Sequence, residues 1–147
     1  MAEPAHILVI DDNEDDVEAI RRSFARSHLL DRIAWCHNGR DALDYLFCEG
    51  AHAVRRGGNP QLILLDLNMP GLDGRRTLEI IKGDEKLRTV PVVVLTTSAD
   101  NRDVERCYEL GASTYIQKPV SFDELTAAVR MMTDYWFGIA LLPQPRA

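Results

Sequence analysis

No apolar run in the 147 residues approaches the ~20 needed to cross a bilayer, so no membrane association is expected. The opening residues, Met1-Ala2-Glu3-Pro4-Ala5-His6, lack the basic stretch of a secretory leader, and a cytoplasmic protein is expected. A basic stripe is missing too: 17 Lys and Arg stand against 23 Asp and Glu, the net charge is -6, and Arg55-Arg56 is too short a patch to hold a phosphate backbone. Nucleic-acid partners are therefore not expected. Cysteine is scarce, and Cys36, Cys48 and Cys107 form an odd set without metal-ligand spacing. They read as reduced thiols serving as small apolar side chains. His6, His28, His37 and His52 show neither metal spacing nor nucleophile partners, so all four read as structural or exposed. No period of 20–50 residues recurs, and the only low-complexity stretch is the tip Pro143-Gln144-Pro145.

What the chain does have is a run of strands that stop on polar residues. The central stretch is Gln61 to Gly74, in which four apolar residues, Leu62 to Leu65, read as a strand buried on both faces and end on Asp66 before Pro70-Gly71. The stretch from His6 to Ile10 is a second such strand and ends on Asp11-Asp12. Asn13 can cap a helix whose first turn holds Glu14, Asp15 and Asp16 and whose inward face is Val17, Ile20 and Phe24. After Leu29-Leu30, Arg32 to Cys36 reads as a shorter strand, and His37-Asn38-Gly39 turns into a helix with Ala42, Leu43, Leu46 and Phe47 inward. Glu49 to Pro60, with Gly50, Gly57 and Gly58, reads as a long connection.

Beyond the central stretch, Arg75 to Lys82 is expected as a helix with Leu78 and Ile81 inward, stopped by Gly83. Pro91 opens the strand Val92 to Leu95, which ends on Thr96-Thr97-Ser98. A helix from about Asn101 to Leu110 stops at Gly111, and Thr114 to Gln117 is a fifth strand ending on Lys118-Pro119. Ser121 to Glu124 has the pattern of a capping box, with Val120 and Leu125 as a hydrophobic staple and Leu125, Ala128, Val129 and Met132 inward. Strands alternating with helices imply right-handed parallel crossovers, hence an α/β, doubly wound fold, for which we take the flavodoxin-like three-layer sandwich with a five-stranded parallel sheet of order 2-1-3-4-5.

In that order the chain reverses direction between the first and third strands, so Asp11, Asp12 and Asp66 meet at one crevice. Like charges ~4 Å apart repel by about 4 kcal/mol at an effective dielectric of 20, so either a carboxyl pKa rises or a cation neutralises the cluster, and a hard oxygen site with room for water suits Mg²⁺. The next strand ends bring the Thr96 hydroxyl and the Lys118 ammonium to the same edge. A carboxylate nucleophile, a metal and a point charge are the parts that phosphoryl transfer uses.

Ile-Asp-Asp-Asn at 10–13, Leu-Asp-Leu-Asn-Met-Pro-Gly-Leu-Asp-Gly at 65–74, Leu-Thr-Thr-Ser at 95–98 and Gly-Ala-Ser-Thr-Tyr-Ile-Gln-Lys-Pro at 111–119 resemble the receiver domains of two-component response regulators. The resemblance implies that Asp66 is the phosphoacceptor and that Asp11, Asp12, Asp66 and the backbone carbonyl of Asn68 hold Mg²⁺. It also implies that Thr96 bonds the phosphoryl group, that Lys118 pairs with it ahead of a cis bond to Pro119, and that Tyr115 is an aromatic switch turning inward when Thr96 moves. Thr97 departs from the small residue usual there. The long connection before the third strand, Cys-Tyr-Glu-Leu at 107–110 and the tail from Tyr135 are similar to the single-domain regulators that partner phytochrome histidine kinases.

The reading is a phosphoacceptor with self-catalysed uptake and hydrolysis rather than an enzyme, with a histidine kinase as partner and a bacterial phytochrome as the specific candidate. Two other readings are a phosphatase of haloacid dehalogenase type, whose Asp-x-Asp pattern differs from the adjacent Asp11-Asp12, and a pseudo-receiver that no longer takes phosphate. Residues 5–134 are expected to form the receiver and 135–147 an apolar extension, a length that leaves no room for an output domain. Tyr135, Trp136, Phe137, Ile139, Leu141 and Leu142 are too apolar for a solvated tail; they can pack back on the domain or on a second subunit, and the resemblance favours the second, a homodimer through the last helix and tail.

Overall fold

The computed structural model describes residues 7–24, 32–55 and 58–143. Expectations resting on His6, His28, Leu29, Leu30, Arg56, Gly57, Gln144 and Pro145 lie outside these residues. Five strands, β1 (Ile7–Ile10), β2 (Ile33–Cys36), β3 (Leu62–Leu65), β4 (Val92–Thr96) and β5 (Thr114–Gln117), form one parallel sheet in the order β2-β1-β3-β4-β5. Between and after them run α1 (Glu14–Ser23), α2 (Gly39–Phe47), α3 (Gly74–Gly83), α4 (Asn101–Leu110) and α5 (Phe122–Gly138), with a short 3-10 turn at Gly50–His52 in the long connection. The flavodoxin-like sandwich and its strand order are as the sequence implied.

Because successive strand residues point to opposite faces, each central strand feeds two cores. Leu8, Ile10, Ile63, Leu65, Val92 and Val94 pack with Leu43, Leu46, Leu78, Ile81 and Cys107 from α2, α3 and α4. On the other face Ile7, Val9, Leu62, Leu64, Val93 and Leu95 pack with Val17, Ile20 and Phe24 and with Leu125, Val129 and Met132 of α5. The caps are local: Asn13, Asn38 and Ser121 side chains accept from the amides of Asp16, Asp41 and Glu124. Gly111 ends α4 at φ +107°, the left-handed backbone that glycine adopts without strain.

α3 ends at Gly83 as expected, its exit an extended Asp84. Three local expectations are corrected. The staple does not form, since Val120 is fully exposed while Leu125 is buried; the chain leaves β5 pointing Val120 to solvent. Phe47 is exposed on the last turn of α2, just before the left-handed Cys48 turns the chain away. Among the described residues no peptide bond is cis, so the bond to Pro119 is trans; the two isomers of such a bond differ by only about 0.5–1 kcal/mol, and local packing decides.

α5 does not stop at Asp134: it continues to Gly138, and Trp136 and Phe137 are half-buried against the core between α1 and the sheet. Tyr135, Ile139 and Leu141 stay exposed, as does Met131. No helix among the described residues is long and apolar enough to cross a membrane.

Candidate functional site

Backbone bonds that extend the sheet past its carboxyl edge put the polar residues side by side. The Asp66 amide donates to the Ile10 carbonyl at 2.9 Å, and the Lys118 amide donates to the Thr96 carbonyl at 2.7 Å. Asp11 follows β1 directly, and its own carbonyl accepts from Trp35 Nε1 at 2.7 Å. The Trp35 ring in turn stacks on His37, with centroids 4.0 Å apart. Gly74 lets α3 start hard against this edge: a Cβ there would stand 2.3 Å from the Asp66 carbonyl oxygen and 2.6 Å from Leu67 Cα.

The carboxylates of Asp11, Asp12 and Asp66 converge, their ligating oxygens within 4.8 Å of one another. Asp11 and Asp66 are buried and Asp12 is exposed, which leaves one side open to solvent. Lys118, itself buried, reaches across the strand ends. Its Nζ lies 2.8 Å from Asp11 Oδ2, 2.8 Å from Asp16 Oδ2 and 3.3 Å from Asp66 Oδ2. Burial pushes the Asp11 carboxyl up to about 6, and the neighbouring Asp66 charge adds to this against the pull of Lys118 and the Asn13 amide. Burial alone would lower the Lys118 ammonium; attraction to Asp11, bonds with Asp11 and Asp16, and the Asp66 charge outweigh it and hold the group above the usual lysine range. One ammonium facing four carboxylates leaves the pocket net negative. A donor set of hard oxygens, two buried and one wet, fits a divalent cation that keeps some of its water.

Asp11, Asp12, Asp66, Thr96 and Lys118 are thus brought together, as their positions at strand ends implied. Asn68 lies at the same place, its amide donating to Asp66 Oδ1 and its side-chain nitrogen to Thr96 Oγ1, each at 3.4 Å. Tyr115 is half-buried, and its hydroxyl donates to the Ser98 carbonyl at 2.9 Å, two residues beyond Thr96.

Two groups of residues escaped the sequence reading. Asp16, taken as a helix-start charge, bonds Lys118 instead, and only its sequence distance from the acidic pair could have hinted at this. Arg75 clasps Asp103 with Nε and Nη2, each at 2.8 Å, and also bonds Asp73 at 2.9 Å, while Ser98 Oγ donates to Asp103 Oδ2 at 2.8 Å. This latch joins the start of α3, the start of α4 and the loop that holds Tyr115.

The comparisons with known proteins agree with this geometry. The family model of the response regulator receiver domain matches residues 7–130. The chain is 39% identical over 146 residues to the probable methanogenesis regulatory protein FilR2 of Methanothrix harundinacea, covering 97% of this chain and 90% of that one. It is 33% identical over 140 residues to response regulator Rcp1 of Synechocystis, covering 95% and 94%. The structure of Rcp1 in a Mn²⁺-bound form superposes with a TM-score of 0.84, covering 95% of this chain and 99% of that one. That of the phosphorylated cyanobacterial phytochrome response regulator RcpA superposes with a TM-score of 0.89 at 35% identity, covering 96% and 99%.

Proposed function

The chain belongs to the response regulator receiver domain family, and on that premise we propose that it accepts a phosphoryl group from a histidine kinase on Asp66. The observation that carries the reading is the buried Asp66 carboxylate at the end of the central strand, 3.3 Å from Lys118 and within reach of two further acids. An Asp66 carboxylate oxygen attacks the phosphorus of a phosphohistidine, the P–N bond breaks, and the imidazole leaves with the electron pair. Asp11, Asp12, Asp66 and the Asn68 carbonyl would hold Mg²⁺, which when bound neutralises charge on the transferred group. Lys118 pairs with one phosphoryl oxygen and the Thr96 hydroxyl bonds another. Movement of Thr96 toward that oxygen would pull on the loop whose Ser98 carbonyl holds Tyr115, and Tyr115 follows.

The similarity to the phytochrome response regulator RcpA supports a phytochrome kinase as donor, and the family match displaces the dehalogenase-type alternative. Met131 and Tyr135 on α5 and Ile139 just past its end, spaced four apart and all exposed, support a homodimer through that helix and the tail. The test is incubation of the full chain with a small acyl phosphate and Mg²⁺, read by mass spectrometry. One added phosphoryl group on the wild type and none on Asp66→Asn is expected. Uptake that survives that substitution or ignores a chelator would overturn the assignment, and no uptake at all would favour the pseudo-receiver.

A further inference from the structure

A second cluster of donor atoms, made of other side chains than the acidic pocket, lies around the start of α2. Cys36 is the last residue of β2, Asp41 sits in the first turn of α2, and His52 closes the 3-10 turn that follows the helix. The fold draws their ligating atoms, one sulfur, one carboxylate oxygen and one imidazole nitrogen, within 4.8 Å of one another. No sequence spacing announces the group, because the three residues come from a strand end, a helix start and a turn.

Each member is already held in place. The Asn38 side chain takes the Asp41 amide at 2.8 Å, which fixes the first turn of the helix. His52 Nε2 meets Asp41 Oδ1 at 2.8 Å, and the edge of the Tyr45 ring meets the imidazole with centroids 5.3 Å apart. Arg55 lies over the Tyr45 ring, 4.1 Å from its centroid, and is tied by Nε to the Tyr45 carbonyl at 2.8 Å. Cys36 is 1% exposed, whereas the side chains of Asp41 and His52 are 33% and 28% exposed, so the sulfur forms the floor of a niche whose rim faces water.

We propose that Cys36, Asp41 and His52 are a second metal site, taking Zn²⁺ with water as the fourth ligand. Sulfur, imidazole and carboxylate together form the donor set of a borderline-soft ion, and three protein ligands with one wet side match four-coordinate zinc. On binding, the Cys36 S–H bond gives its proton to solvent, and the thiolate, one Asp41 oxygen and the Nε2 lone pair of neutral His52 bond the ion. The two negative charges then balance the metal's two positive ones. The site would clamp the end of β2, the start of α2 and the connection toward β3 into one unit. It shares no side chain with the pocket around Asp66, although the Cys36 carbonyl accepts from the Asp11 amide at 3.2 Å.

The full chain, reduced and with excess Mg²⁺ to occupy the all-oxygen pocket, is titrated with Co²⁺ and then with Zn²⁺. The expected result is one Co²⁺ per chain, with a thiolate-to-metal charge-transfer band in the near ultraviolet and strong tetrahedral absorption in the visible, both abolished by one equivalent of Zn²⁺. An oxygen-only site gives no such band. His52→Ala, at a partly exposed position in a turn, and Cys36→Ser should each remove the signal, while Cys48→Ser and Asp66→Asn should keep it. Absence of the band in the wild type, its survival in His52→Ala, or its loss in Cys48→Ser would overturn the proposal.

Discussion

Lys118 is a residue whose meaning changes between sequence and structure. As the residue after a strand it could be placed at the pocket's edge; that it would bond Asp16 as well as Asp11 and Asp66 could not be seen, because Asp16 is one of three acids in a row whose charges already suit a helix start. The strand-end residues Asp11, Asp66 and Thr96 were legible for the opposite reason: an apolar run that stops on a polar residue fixes that residue's place at the sheet edge. Thr97 illustrates the same scale. Its neighbour Thr96 is fully buried while Thr97 is exposed, and in the proposed function a water attacking phosphorylated Asp66 would have to pass it. Replacing it by Ala opens that approach, so the phosphorylated form of Thr97→Ala should have a shorter half-life than the wild type, measured by loss of label after removal of donor. An unchanged or longer half-life would show that Thr97 does not control access.

At the scale of elements, α3 is placed by what it lacks. Gly74→Ala would set a methyl against backbone atoms of Asp66 and Leu67, which cannot give way as a flexible side chain can. Overpacking of this kind costs about 1–3 kcal/mol, and the displaced atoms include the carbonyl of the proposed phosphoacceptor. Urea unfolding should report the loss, and phosphoryl uptake should slow with it. The latch between α3 and α4 makes a separate prediction about acid. Hydrogen bonds from Arg75, then from Ser98, hold the Asp103 carboxyl below the usual carboxylate range. The pair therefore contributes fully above the unfolded-state value near ~3.9, and its contribution is lost as pH falls through the lower folded value. The stability difference between wild type and Asp103→Asn should be constant from about pH 7 to 5, of the order of 1 kcal/mol, and shrink below about pH 4. A difference that grew in acid would contradict the ion pair. Periodicity and caps had located α3 and α4 in the sequence, yet no local pattern joins Arg75 to Asp103, and Val120 looked like half of a staple because the turn out of β5 leaves no trace in residue type.

For the whole molecule, α5 serves two surfaces. Trp136 and Phe137 lie against the chain's own core, while Met131, Tyr135, Ile139 and Leu141 face outward. The apolar tail was evident in the sequence, but its division into two faces was not, since it depends on where the helix stops. The two faces can be separated by sedimentation and melting. A chain ending at Asp134 should lose stability as well as self-association, because it discards Trp136 and Phe137. Tyr135→Ser/Ile139→Ser should keep its melting temperature and be monomeric at micromolar concentration. A dimer that persists in the double variant would remove α5 from the interface. The chain has two tryptophans, both packed against the same core: Trp136 on α5 and Trp35, whose indole nitrogen is bonded to the Asp11 carbonyl. Trp35 is therefore a native fluorophore wired to the acidic pocket, and in a Trp136→Phe background its emission gives an optical signal for occupancy of the pocket in real time, without any added dye.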